Sequence, residues 1–221
     1  MQPILPRILS AYLSTTARSS LQNVSGTRSL TNISTSFILI DTKHPGNVGS
    51  AARGMKTMGF SELILVTPRD DRVLGRKKCI DGASGAVNVL EGAKVFENLE
   101  DVLNGDDDII ICGTGMPVSM SNERLPQRYV APRTFFQEIL PLEQQLQSED
   151  KDCSSTEEKH IKIAFLFGNE RFGMKPEDME RCDVMLGIPT NPKFGSLNLA
   201  SAVQIIAYDW REAIGGYDVE I

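Results

Sequence analysis

Short, nearly unbroken apolar runs recur along this chain, and stretches of helical periodicity separate them. Phe37-Ile38-Leu39-Ile40, Leu63-Ile64-Leu65-Val66, Ile109-Ile110-Ile111-Cys112, Ile161–Phe167 and Val184–Ile188 show little of the polar alternation expected of a half-solvated strand. Strands buried on both faces read this way, and such strands belong to parallel sheets. Between them, Asn47 to Phe60 places Val48, Ala51, Ala52, Met55 and Met58 on one helical face, and Gly59 marks its end. Further helices are predicted over Ala83–Leu90, over Asn98–Leu103 with Asn98 as cap, over Arg133–Leu146, after Pro176, and over Leu197–Ala213; Lys94–Phe96 adds a short strand. Strand and helix in alternation predict an α/β fold, a parallel sheet flanked by helices, within one domain over residues 37–221. At 221 residues one well-buried domain is affordable.

In open sheets of this kind, ligands bind beyond the carboxyl ends of the strands. Three polar, glycine-bearing loops follow strands: His44-Pro45-Gly46-Asn47-Val48-Gly49-Ser50-Ala51-Ala52-Arg53, Phe167-Gly168-Asn169-Glu170-Arg171-Phe172-Gly173, and the run from Ile188 through Pro192, Gly195 and Ser196 to Ala200. Gly113-Thr114-Gly115 is expected as a fourth turn on the same side. These loops are read as one shared site. A dinucleotide fingerprint, a phosphate loop and a nucleophile elbow are all absent. Cys79, Cys112, Cys153 and Cys182 lack metal or disulfide spacing, and the two histidines, His44 and His160, form no cluster, so no metal is expected. No apolar run approaches the ~20 residues of a membrane span.

The net charge of −6 argues against a protein that coats nucleic acid but leaves room for a local basic surface. Arg69, Arg72, Arg76, Lys77 and Lys78 form one basic cluster, and Arg124, Arg128 and Arg133 a second. Either they are solvated loop charges or, if they converge on the glycine loops, they form a phosphate-binding face. Residues 1–36 hold no acid, carry Arg7, Arg18 and Arg28 among many Ser and Thr, and space Ile4, Leu5, Ile8, Leu9, Tyr12 and Leu13 as on a helix. This is the composition of a mitochondrial or chloroplast leader, with a disordered tail on a cytoplasmic protein as the alternative. Residues 148–159 are polar and aperiodic, and a flexible insert is expected there.

The three loops carry a resemblance. Asn47-x-Gly49-x-x-x-Arg53, Gly168-x-Glu170-x-x-Gly173 and Ser196-Leu197-Asn198 occur in order, each after an apolar strand, as in the SpoU/TrmH class of SPOUT RNA methyltransferases; the chain most resembles the TrmJ-type tRNA ribose methyltransferases over residues 37–213. The resemblance implies the SPOUT (alpha/beta knot) fold with a C-terminal deep trefoil knot and S-adenosylmethionine as methyl donor. It implies an RNA partner, tRNA before rRNA, and a homodimer formed through the knot helices. Leu199, Val203, Ile206 and Trp210 offer that interface a stripe, although one helix face must also cover the sheet. The cofactor would be held by Thr114, Gly115, Met116, Gly168, Ile188, Gly195, Ser196 and Leu197. Leu186-Gly187-Ile188 and Leu197 would give the adenine its slot. The catalytic positions would be Arg53, Asn47, Glu170, Ser196 and Asn198, with Arg53 serving the deprotonation of a ribose 2′-hydroxyl and Asn198 near the ribose. Read without the family, Arg53 is an ion pair on the first helix, Asn47 and Ser196 are caps, Glu170 is a first-turn acid, and Asn198 is a polar helix start. Tyr129 and Phe172 are candidates for stacking on a base. A non-catalytic RNA-binding or assembly factor keeping the same fold is the alternative function.

Overall fold

The computed structural model describes residues 33–104, 109–115, 129–149 and 161–218. Within them lie seven strands: β1 (Ile33–Ile40), β2 (Glu62–Val66), β3 (Lys94–Phe96), β4 (Ile109–Gly115), β5 (Tyr129–Val130), β6 (Ile161–Phe167) and β7 (Val184–Gly187). The α-helices between and after them are α1 (Pro45–Thr57), α2 (Lys77–Ala83), α3 (Val87–Glu91), α4 (Glu100–Leu103), α5 (Pro132–Glu149), α6 (Pro176–Met179) and α7 (Leu199–Ala213). The strands form one sheet in the order β3-β2-β1-β6-β4-β7-β5, and each pairing is parallel. The first three strands step outward in sequence. After that, β6 enters between β1 and β4, and β7 enters between β4 and β5. Late strands therefore occupy gaps between earlier ones, which makes the carboxyl ends of β6, β4 and β7 neighbours.

Both faces of the sheet are apolar, as the continuous runs require. Phe37, Leu39, Leu63, Leu65, Ile163, Phe165 and Phe167 point to one face, where they meet Val48, Ala52 and Met55 of α1, Phe136 of α5 and Trp210 of α7. Ile38, Ile40, Ile64, Val66, Ala164 and Leu166 point to the other, against Leu99, Met174 and Met185. On the first face Trp210 tilts against Phe136 with ring centres 5.0 Å apart and meets Phe165 edge-on at 6.0 Å. Gly49 lets α2 cross α1 closely: a Cβ there would lie 1.9 Å from the Cys79 carbonyl oxygen. The glycine of the first motif is thus a packing residue.

Several expectations shift. β1 starts at Ile33, so residues 33–36, read as part of the leader, pair with Ile161–Ala164 of β6. Their polar sequence hides this, but Trp210 Nε1 donates to Thr35 Oγ1 at 2.9 Å, and Ser36 is buried. The helix expected over Ala83–Leu90 is two helices joined by a 3-10 turn at Ser84–Ala86, and it begins earlier, at Lys77. Gly113-Thr114-Gly115 is no turn: it is the end of β4, paired to Met185, Leu186 and Gly187. β5 was not anticipated, because two residues are too few for periodicity to register. α5 extends to Glu149 and takes the first two residues of the expected insert. Leu199, Val203, Ile206 and Trp210 are all buried in the core, so this stripe covers the sheet and is not an interface. Residues 1–32 and 150–160, with Met116, Arg124 and Arg128, lie outside the described residues. No described helix is long and apolar enough to cross a membrane.

Candidate active site

A cavity of about 480 Å³ opens where β4, β6 and β7 end. Thr114 and Gly115 border it from β4, Gly168 from the end of β6, and Ile188, Gly195, Ser196 and Leu197 from the segment between β7 and α7. These are the positions expected to hold a cofactor, apart from Met116. Leu186 is not among them; it is fully buried in the core, because its side chain points to the sheet face and not to the strand end. Phe167, Leu199, Ile188 and Leu197 give the cavity an apolar wall. Thr114 Oγ1 is committed to the Leu166 carbonyl at 2.8 Å, and Thr190 Oγ1 to the Gly195 carbonyl at 3.1 Å, which shapes the last loop. Among the described residues, no acceptor meets the backbone N–H of Gly195, Ser196 or Leu197. Three successive residues that border the cavity thus have donors with no partner among the described residues. Among the described residues no group of three potential metal ligands occurs.

The three motifs are joined side chain to side chain. Glu170 accepts the backbone N–H groups of Lys43 and His44, each at 3.0 Å, and the Asn47 Nδ2 amide at 3.0 Å. Asn47 Oδ1 in turn accepts from Asn198 Nδ2 at 2.9 Å. Asn198 Oδ1 caps α7 by accepting from Ala200 N at 2.9 Å and Ser201 N at 3.4 Å. This relay settles the simpler readings. Asn47 is not the cap of α1, because Pro45 starts the helix and His44 takes the cap position. Glu170 sits in a turn and not in a helix, and its carboxylate lies at the amino end of α1, which has no acid of its own in its first turn. Asn198, and not Ser196, caps the last helix. Burial pushes the Glu170 carboxyl up, but its hydrogen bonds from backbone and from Asn47 outweigh that and hold it below the ordinary glutamate value.

The second loop is folded back on itself. Asn169 and Gly173 exchange backbone hydrogen bonds of 3.0 and 2.8 Å, and Asn169 Nδ2 donates to the Asp41 carbonyl at 2.7 Å. Gly168 is required by that fold: a Cβ there would lie 2.2 Å from Gly173 C and Met174 N. Asn169 was not singled out from the sequence, although an Asn after a strand-end glycine is a turn signal.

Arg53 is exposed on α1, and its side chain neither borders the cavity nor makes a hydrogen bond or ion pair among the described residues. Six residues from Asn47, it lies about 120° around the helix from the relay. Among the described residues, therefore, the ion-pair reading of Arg53 finds no partner. The first basic cluster is largely neutralised locally: Arg69 pairs with Asp41, Arg76 with Asp70 and Lys77 with Asp81. Arg133 of the second pairs with the buried Asp209 at 2.8 Å. The two stacking candidates part company. Tyr129 packs against the second apolar cluster with its hydroxyl buried, whereas Phe172 borders the cavity and is exposed.

Comparison with known proteins follows the same outline. The chain is 35% identical over 180 residues to the tRNA (cytidine/uridine/adenosine-2'-O-)-methyltransferase TrmJ of Pseudomonas aeruginosa, a match covering 80% of this chain and 60% of the relative. The chain thus spans about three-fifths of that relative's length. Its fold is similar to a probable methyltransferase from Bordetella pertussis Tohama I, with a TM-score of 0.65 and 33% identity over 81% of this chain and 95% of that one. It is also similar to TrmJ from Z. mobilis ZM4, with a TM-score of 0.62 and 28% identity over 85% of this chain and 73% of that one. The model of the SpoU rRNA Methylase family matches residues 34–208, from the first strand to the last helix, and the chain belongs to that family.

Proposed function

We propose that this protein is an S-adenosylmethionine-dependent methyltransferase acting on a ribose 2′-hydroxyl of RNA, with tRNA as its substrate class. The observation that carries this reading is the Glu170–Asn47–Asn198 relay, which ties the first motif to the second and third, the two whose loops line the cavity at the strand ends. The name of the Pseudomonas relative specifies the same reaction on tRNA. The cavity fits the cofactor: its volume lies in the range of small-molecule sites, Ile188 and Leu197 border it with apolar side chains, and Gly195, Ser196 and Leu197 border it with backbone donors that have no partner among the described residues. When bound there, the sulfonium supplies an activated methyl group that needs only a nucleophile held in line.

The protein's own residues then have separable tasks. Glu170, Asn47 and Asn198 act as positioning groups: each bonds a side chain of another motif, and together they tie α1 to the start of α7. The Ser196 hydroxyl borders the cavity and is exposed, available to the sugar. Arg53 offers a guanidinium fork of five donors and no acceptor, so it holds the hydroxyl and an adjacent phosphate and stabilises developing charge; it does not act as a free base.

A homodimer belongs to this reading. An exposed Arg53 that has no partner among the described residues and lies outside its own chain's cavity supports a site completed by a second copy. The trefoil knot is likewise part of it, supported by the late insertion of β7 between β4 and β5. The acid-free composition before β1 supports an organelle leader, tested by the destination of a fluorescent fusion of residues 1–32. The deciding experiment incubates the protein with methyl-labelled cofactor and separated tRNA and rRNA, followed by mapping of ribose methylation. Label on tRNA ribose, lost in Arg53→Ala with the fold intact, is expected. Label on bases only refutes the reading, and label on rRNA alone refutes the substrate class.

A further inference from the structure

Two large aromatic side chains at the cavity's rim are left open to water. Phe172 borders the cavity yet is 73% exposed, and Phe194, beside the wall residue Gly195, is 79% exposed. Both sit on tied turns. Asn169 Oδ1 accepts from Arg171 N at 2.9 Å and Phe172 N at 3.2 Å; Phe194 N donates to the Asn191 carbonyl at 2.9 Å. Apolar rings held out on fixed turns forgo burial unless something covers them. The surrounding charge indicates what does. In a chain of net charge −6, exposed Lys43, Arg171 and Lys193 stand on or beside the three loops. Their acids are already engaged: Asp41 pairs with Arg69, and Glu170 is bound within the relay. Residues 188–198 contain no acid. The Arg171 guanidinium lies 5.1 Å from the Phe172 ring centre.

Exposed aromatic faces beside unneutralised cations match single-stranded nucleic acid, in which bases offer π-faces and phosphates offer charge. We propose that Phe172 and Phe194 are base-stacking residues that receive a single-stranded RNA segment at the mouth of the cavity, with Arg171 and Lys193 beside them meeting its phosphates. The proposal rests on the methyltransferase reading for its RNA substrate. It adds how unpaired nucleotides are gripped and favours a loop of the RNA over a duplex stem.

The test measures binding of a short single-stranded oligoadenylate carrying one 2-aminopurine, together with methyl transfer to bulk tRNA. Phe172→Ala and Phe194→Ala are expected to weaken oligonucleotide binding about 5-fold or more and to reduce base-fluorescence quenching, while the salt dependence keeps its slope. Phe172→Trp and Phe194→Trp retain affinity and quenching. Lys193→Gln instead flattens the salt dependence. Exposure of both rings keeps these variants folded, which thermal unfolding checks. Alanine variants that bind and quench like wild type overturn the proposal. So does wild type that binds no oligonucleotide, or a change in molecular mass by light scattering in place of a change in RNA affinity, which would assign the rings to a contact between copies. Stacking that is intact in a protein that methylates no RNA ribose removes the methyltransferase reading alone; methyl transfer and binding that are indifferent to both alanines remove the stacking proposal alone.

Discussion

Replacing Glu170 by Gln tests whether the relay between the motifs holds the site together. The carboxylate accepts three hydrogen bonds, from Lys43 N, His44 N and Asn47 Nδ2. Lys43 bonds one oxygen, and His44 and Asn47 share the other. A glutamine amide can keep the shared oxygen, but it must turn its NH2 toward Lys43 N–H, setting donor against donor at about 3.0 Å. Two charge-assisted bonds become neutral ones, and the third is lost. Net values are about 1.5–3 kcal/mol for charged acceptors and 0.5–1.5 for neutral ones. Lys43 and His44 are exposed, so water recovers part of the loss and the total settles near 2 kcal/mol. For a domain of this size that lowers Tm by about 4–8 °C at neutral pH. The pH dependence gives a second signature. Glu170 has a depressed pKa, so its contribution is present above the ordinary value of 4.5 and disappears as pH falls through the lower folded pKa. The gap between wild type and variant, followed by circular dichroism melts, therefore narrows on acidification. A Glu170→Gln protein melting within about 1 °C of wild type at pH 7, or a gap that stays constant down to about pH 3.5, refutes the reasoning.

Gly168→Ala forces a Cβ into the backbone of Gly173 and Met174, so the second loop must open; loss of S-adenosylmethionine binding by calorimetry, with the core still folded, is expected. Asn198→Ala removes the cap of α7 and the link to Asn47 together, and should cost about 1–2 kcal/mol in urea unfolding, more than a cap alone usually does. Burial raises the Asp183 carboxyl from 3.8 to about 6, against the opposing hydrogen bond from Ile111 N. Its proton is held more tightly in the folded state, so stability falls as pH rises from about 4 to about 6 and then levels; Asp183→Asn should flatten that segment of the profile and stabilise the protein at pH 7 by up to about 3 kcal/mol. In a shared site, Arg53→Ala and Asn198→Ala proteins, each inactive, recover about a quarter of wild-type sites when unfolded and refolded as a mixture. No recovery indicates that each chain uses its own arginine.

The periodicity of the sequence carried the architecture, since apolar runs without alternation have few destinations other than a covered parallel sheet. Elements whose patterns are local were legible: α1 through its apolar face, α7 through its length, β6 through Ile163–Phe167. Ile33–Ser36 was not, because Ser34, Thr35 and Ser36 enter the sheet through pairing with β6 and the Trp210 hydrogen bond, both supplied by residues more than a hundred positions away. The break at Ser84, with φ of 51°, was hidden for a similar reason: glycine is the usual signal for positive φ, and none occupies that position.

The same division runs through the site. The sequence alone determined which residue types gather at the strand ends, because a strand followed by a glycine loop has one side on which to place that loop. Only the tertiary structure decided what those residues do to one another. Asn47, Glu170 and Asn198 are far apart along the chain, and each has a plausible local role as cap or helix acid. Strand order brings them within 3.0 Å in sequence along the relay, turning three local candidates into one junction. Arg53 shows the converse. Its motif places it beside Asn47 in sequence, but a helix turns side chains through about 100° per residue, and that rotation sets it on an exposed face away from the cavity of its own chain.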